Sequence, residues 1–204
     1  MKPGTPVPMA RMGSIEPTGG GAWSGASDAD ANARRGLWIL LGVLTSLFGL
    51  FIAAYAMRLH FGDWCAVAEP SLLWLNTVWL IASSAALQFS LVSLRRRQRR
   101  AAGFALAAAA IFALTFLFGQ WRAWQTLHAA GQVIEANPAN SFFYLITAVH
   151  GVHLLGGLVA LGRTTAHWQT QTLAQLELSL PLCARYWHFL LVVWLALFAL
   201  LLAT

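Results

Sequence analysis

Charge is the scarcest property of this 204-residue chain: Asp, Glu, Lys and Arg together make up 10% of it, against about 25% in soluble domains. A soluble globule must present a solvated surface, and this composition cannot supply one. A soluble enzyme and a nucleic-acid module are thereby excluded. Two cysteines, Cys65 and Cys183, are too few for a disulfide scaffold. The G-x-x-x-x-G-K-[ST] loop that cradles nucleotide phosphates is absent. None of the seven acidic residues (Glu16, Asp28, Asp30, Asp63, Glu69, Glu135, Glu177) falls inside a long apolar run. Membrane pumps and cation transporters carry buried carboxylates, so the chain is a poor candidate for an independent pump. Strict apolar/polar alternation is missing, which excludes a membrane barrel. No internal repeat supports an inverted-repeat transporter.

What the chain has is apolar length. Hydrophobic residues make up 58%, and the mean hydropathy is +0.63. Five runs, at about Leu37–Met57, Leu72–Leu94, Ala102–Trp121, Phe142–Leu161 and Tyr186–Leu202, are each long enough to cross a bilayer. They must be helical, because hydrocarbon offers the backbone no other hydrogen-bond partner. Residues 1–34, rich in Gly, Pro, Ala and Ser, show no periodic apolar face and read as a disordered tail without a secretory h-region. The domain proper is 35–204. Eleven of the thirteen Lys and Arg residues lie in the tail, in the Arg95–Arg100 block and at Arg163 and Arg185; only Arg58 and Arg122 fall on the other side. The positive-inside rule then puts the N-terminus in the cytoplasm and the C-terminus in the periplasm. It also explains the pI near 10.4 without invoking nucleic acid. Trp38, Trp74, Trp121 and Trp187 stand at run ends, as an aromatic belt requires. Cys65 and Cys183 fall in loops on opposite faces and cannot pair within one chain.

Polar side chains are costly in hydrocarbon and usually face protein. Asn76, Ser83 and Ser90 stand seven residues apart on one face of the second run, with Ser84 and Gln88 beside them. This stripe reads as glue between helices; a solute path would need matching stripes elsewhere. In the fourth run Thr147, His150 and Gly157 share a face, with His153 displaced by roughly 60°. Gly151, Gly156 and Gly157 would let another backbone come close. The histidines admit three chemistries: haem or metal ligation, a proton relay, or a neutral ring bonded across a helix interface or to a lipid head group. His188, the other embedded histidine, lies near the cytoplasmic start of the fifth run. His150 lies roughly 12 Å from the outer end of the fourth. Histidines at i, i+3 on one helix cannot take opposite sides of one haem, and no Cys-rich or Glu-x-x-His pattern accompanies them. The residues favour the third chemistry, in a five-helix membrane protein with no catalytic constellation of its own.

The run Ser141-Phe-Phe-Tyr-Leu-Ile-Thr-Ala-Val-His150-Gly-Val-His153-Leu-Leu-Gly-Gly157 closely resembles a motif of haem–copper oxidase subunit III. Leu73-Trp-Leu-Asn-Thr77 with Ser83, Ser84 and Gln88, then Gly119-Gln120 with Trp124 and Gly131, then Arg185-Tyr-Trp-His188-Phe and Val192-Val-Trp194, follow in the family's order. The resemblance covers about Leu37 to Ala203. It implies the short, five-helix form of the fold, in which two early and three later helices diverge around a lipid-filled cleft. It also implies a non-catalytic subunit of a proton-pumping terminal oxidase in a bacterial plasma membrane. Such a subunit packs on subunit I with subunit II nearby, holds lipid, and supports proton uptake and oxygen delivery. Haem and copper would sit on the partner subunits and no cofactor on this chain. Asn76, Ser83, Thr147, His150, His153, Gly157 and His188 become candidate lipid or subunit contacts. In many relatives the first helix carries a buried glutamate; Leu44 stands at the matching position here. The alternatives are a subunit-III-like accessory protein of nitric oxide reductase, or an independent membrane haem protein or transporter.

The charge asymmetry makes the orientation testable. A membrane-impermeant thiol reagent applied from outside should label a single cysteine placed at Glu135 and miss one placed at Gln98. The reverse pattern would reject the orientation.

Overall fold

The computed structural model describes residues 21–59, 71–134, 137–166, 168 and 173–203. These form five helices: α1 (Gly21–Arg58), α2 (Leu72–Arg95), α3 (Arg99–Ala129), α4 (Pro138–Ala166) and α5 (Leu173–Leu202). All five are long and apolar enough to cross a membrane, and no strand occurs among the described residues. α1 starts at Gly21, ahead of the domain boundary expected at residue 35. Residues 1–20 of the expected tail, with Asp63, Cys65, Glu69 and Glu135, lie outside the described residues.

α5 corrects the sequence reading most. It begins thirteen residues before Tyr186 and runs through Pro181. Proline removes one backbone donor, leaving the carbonyl four residues earlier, that of Glu177, without its helical partner. Membrane helices tolerate this, because neighbouring groups re-satisfy the freed carbonyl. Cys183 therefore sits buried within a helix, not in a loop. Trp187 lies near the middle of α5 with none of its surface exposed, so it is no member of an interfacial belt. Trp38, Trp74 and Trp121 are more than half exposed. Glu177 falls within the span Gln175–Leu202, and Asp30 opens the span Asp30–Arg58.

The pairing of α2 with α3 follows from periodicity. Leu73, Leu80, Leu87 and Leu94 are buried and seven residues apart, as are Asn76, Ser83 and Ser90. On α3 the buried residues Ala102, Ala109, Phe116 and Ala123 keep the same spacing. Matched seven-residue repeats give antiparallel helices a constant register. Ser90 Oγ donates to the Ala102 carbonyl and Ser83 Oγ to the Ala109 carbonyl, both at 2.8 Å. Small residues on α3 let the hydroxyls reach its backbone. The third member of the stripe breaks the pattern: the Asn76 amide lies against Gly119, where an added Cβ would meet Oδ1 at 1.9 Å. The α2–α3 turn is short and places Arg97 at φ 59°, with Gln98 N donating to the Ser93 carbonyl at 2.9 Å. α3 ends in the same way, with Gly131 at φ 78° and Gln132 N donating to the Leu127 carbonyl. Glycine adopts that conformation without strain.

α2, α3, α4 and α5 share one core. α1 stands apart: its backbone comes close to α4 and α5 and not to α2, its neighbour in sequence, or to α3. Its inner face is the narrow line Leu41, Leu44, Phe48 and Tyr55, of which Phe48 and Tyr55 share a cluster with Ile146, Val193 and Leu197. The expected division into two early and three later helices is therefore replaced by one helix leaning on a bundle of four. The reason lies in the α2 stripe, whose partners are on α3 and α5.

The Asn76–Gly119 approach makes a direct test. Gly119→Ala should cost about 1–3 kcal/mol through overpacking, read as a lower unfolding midpoint in detergent. Gly42→Ala, which meets nothing within 4 Å, should be nearly neutral. Asn76→Ala should restore space for the new methyl and recover part of the loss. A Gly119→Ala chain as stable as the parent would contradict this packing.

Candidate functional site

Tryptophan indoles pin the helices to one another. Trp187 Nε1 donates to Ser83 Oγ at 3.1 Å and Trp194 Nε1 to Thr77 Oγ1 at 3.0 Å, joining α5 to α2. Trp124 Nε1 donates to Thr147 Oγ1 at 3.1 Å, joining α3 to α4. Each hydroxyl passes its own proton on to a backbone carbonyl: Ser83 to Ala109, Thr77 to Leu73, Thr147 to Phe143. Both roles of each hydroxyl are used and each of these three indole N–H groups has its acceptor. Tyr186 adds a bond from its OH to the His153 carbonyl at 3.0 Å, linking α4 and α5.

The three histidines have unlike surroundings. His150 is completely buried, ringed by Phe48, Phe116 and Trp194 with ring centroids 6.2, 6.1 and 5.2 Å away. His153 is half-buried and its Nδ1 bonds the Val149 carbonyl at 2.7 Å, on its own helix. His188, also half-buried, faces α2, with Nδ1 at 2.5 Å from Ser84 Oγ and Nε2 at 3.2 Å from Gln88 Oε1. A carbonyl oxygen only accepts, so Nε2 donates to Gln88 and the neutral ring accepts from Ser84 at Nδ1. His188 lies in mid-helix, not near a helix start, because α5 begins so early. It still stands off from His150, which meets α5 at Trp194, six residues or roughly 9 Å further along. Among the described residues no three His, Cys, Asp or Glu side chains converge where they could hold a metal ion.

Of the seven candidate contact residues, Asn76, Ser83, Thr147 and His150 are buried among this chain's own helices. Gly157 is buried too: a Cβ there would meet Tyr186 Cε1 at 2.9 Å and Trp187 Cζ3 at 3.1 Å. Gly151 and Gly156 meet nothing within 4 Å, so Gly157 alone of the three lets α5 approach α4. The partly exposed candidates are His153 and His188. An apolar groove of about 480 Å³ runs between α1, α4 and α5, lined by Leu40, Gly157, Ala160, Leu182 and Tyr186 among others. Sequence reasoning missed Thr77, Trp187 and Trp194 as a linked set. The signal was available in principle: two tryptophans seven apart on one run and two hydroxyls six apart on another.

Residues 63–203, which contain α2 to α5 and every bond described above, match the family profile of cytochrome c oxidase subunit III. The chain belongs to that family. It is similar to a probable cytochrome c oxidase subunit 3 of Mycobacterium leprae (strain TN), 33% identical over 157 residues, 74% of this chain and 76% of the relative. It is similar also to a cytochrome c oxidase subunit 3 of Thermostichus vulcanus, 30% identical over 176 residues, 81% of this chain and 84% of the relative. A cytochrome bo(3) ubiquinol oxidase subunit 3 of Buchnera aphidicola subsp. Acyrthosiphon pisum is 25% identical over 168 residues, 80% of this chain and 82% of the relative. As a subunit III, the chain is a multi-pass membrane protein and one part of a multi-subunit oxidase. Leu44 is 2% exposed on the inner face of α1.

The indole pins predict a graded response. Ser83→Ala and Thr77→Val each strand a buried indole N–H and should cost about 1–2 kcal/mol, seen as a lower unfolding midpoint in detergent. Ser46→Ala, whose exposed hydroxyl bonds only the Gly42 carbonyl of its own helix, should change little. Equal effects of all three would show that the interhelical bonds add nothing.

Proposed function

We propose that this chain is the non-catalytic subunit III of a proton-pumping haem–copper terminal oxidase in a bacterial plasma membrane. The observation that carries the reading is the family match across residues 63–203. The complex would reduce oxygen to water in aerobic respiration, with haem and copper on the partner subunits and none on this chain. The role here is to pack on subunit I near subunit II, to hold membrane lipid, and to support proton uptake, oxygen delivery and stability of the complex. What supports a structural role is the way the polar side chains are used. Thr77, Ser83, Ser84 and Thr147 bond groups of this chain, and His188 bonds α2. The groove between α1, α4 and α5 fits an acyl chain by its apolar lining. The cytoplasmic assignment of the N-terminus and of the Arg95–Arg100 turn rests on the charge asymmetry. Relatives named for both cytochrome c and quinol oxidases occur, so either donor fits the reading.

A visible spectrum tests it. The full chain purified alone should be colourless. The chain purified with its co-purifying subunits should show haem bands that survive His150→Ala or His153→Ala, while retention of this subunit falls. A Soret band from the chain alone, or loss of a haem band on either substitution, would overturn the non-catalytic reading.

A further inference from the structure

Three buried side chains on three helices carry polar atoms with no partner among the described residues: Asn76 Nδ2, Gln120 Nε2 and Oε1, and both ring nitrogens of His150. They are 1%, 4% and 0% exposed, and successive contacts bring them to one level of the bundle. The Asn76 amide lies against Gly119, the residue before Gln120. Gln120 is one helical turn from Phe116 and one from Trp124, on the inward face of α3. Phe116 meets the His150 ring, and Trp124 bonds Thr147, one turn before His150. Gln120 therefore faces the turn of α4 that carries Thr147 and His150. Trp194 closes the ring: its indole lies 5.2 Å from His150 and 5.0 Å from Phe116, and bonds Thr77, next to Asn76. The surrounding wall of Phe48, Phe116 and Trp194 is aromatic and supplies no free acceptor for the amides.

The chain itself seals these atoms, so no docked subunit or lipid head group can reach them. Buried polar groups are satisfied in folded proteins, by protein or by ordered water. The set contains donors from two amides, the Gln120 Oε1 acceptor and, in a neutral imidazole, one donor and one acceptor. A ligand here must be very small and must both donate and accept. Buried water fits: it commonly makes about three hydrogen bonds to otherwise unpaired groups. We propose that Asn76, Gln120 and His150 form an internal water site joining α2, α3 and α4. Bound water completes the α2 stripe where Asn76, unlike Ser83 and Ser90, finds no carbonyl on α3. It also supplies the partner that a neutral His150 needs in an aromatic cage. The site stands whether or not the oxidase reading does.

Radiolytic footprinting with mass spectrometry tests it, on the full chain in nanodiscs with its co-purifying subunits. X-rays turn bound water into hydroxyl radical, which oxidises the side chains beside it. Trp194 and Trp187 are equally buried, each with its indole on a hydroxyl, but only Trp194 borders the site. Trp194, Phe116 and His150 should be oxidised several-fold faster than Trp187 and should take up heavy oxygen after incubation in labelled water. Gln120→Leu with His150→Phe should bring Trp194 down to the rate of Trp187. Equal rates for the two tryptophans in the unmodified chain would show that the site is dry, with Gln120 turning to bond His150 directly. A fast Trp194 unaffected by the double substitution would place the water elsewhere. The comparison within the unmodified chain decides the matter even where the variant fails to fold.

Discussion

Ser83 holds three helices at once. Its hydroxyl donates to the backbone of α3 and accepts the Trp187 indole of α5, and its own position on α2 sets the register of both. In hydrocarbon apolar burial gives helices little reason to associate, so packing and interhelical polar contacts must do that work. α2 is accordingly the hub. One flank of its stripe meets small residues and carbonyls on α3; the other meets tryptophans on α5. The fourth helix is drawn in by the same chemistry, through Trp124 and Thr147.

Small and large residues divide the work. Where a side chain must reach in against a neighbouring helix the facing residue is small, as at Ala102, Ala109, Gly119 and Gly157. Where a gap must be filled, a tryptophan fills it and uses its single N–H to fix the angle. Each such pair sets both distance and rotation. Trp168 ties a connection by other means: its indole packs over Gly103, and its carbonyl accepts from the Arg99 guanidinium, which also lies over its ring. The connection between α4 and α5 is thus tied to the start of α3.

The five helices were legible because crossing a bilayer demands a run of apolar residues that stands out from any soluble pattern. The α2 stripe was legible for a related reason: its period lies within one helix and needs no knowledge of neighbours. What required knowledge of neighbours was hidden. Trp187 looked interfacial because Pro181, Glu177 and Arg185 disguised the first half of α5. The link from Trp194 to Thr77 spans 117 positions, and no local signal announces it. His150 stood out as an intramembrane histidine, yet its aromatic cage is assembled from α1, α3 and α5 and could not be read from α4. The separation of α1 from α2 was invisible too, since their sequences show only that each spans.

The placement of α1 sets an order of events. α1 leaves the ribosome first, but its partners are α4 and α5, and α4 begins at Pro138, eighty residues after α1 ends at Arg58. At roughly 5–20 residues per second, α1 waits on the order of ten seconds before any surface exists to receive it. It can wait because most of its circumference is lipid-compatible, with Ile39, Val43, Leu50 and Met57 facing outward. α2 and α3 meanwhile have each other within a three-residue turn. The chain is thus assembled from the inside of its sequence outward, and its first-made helix is among the last to find its place.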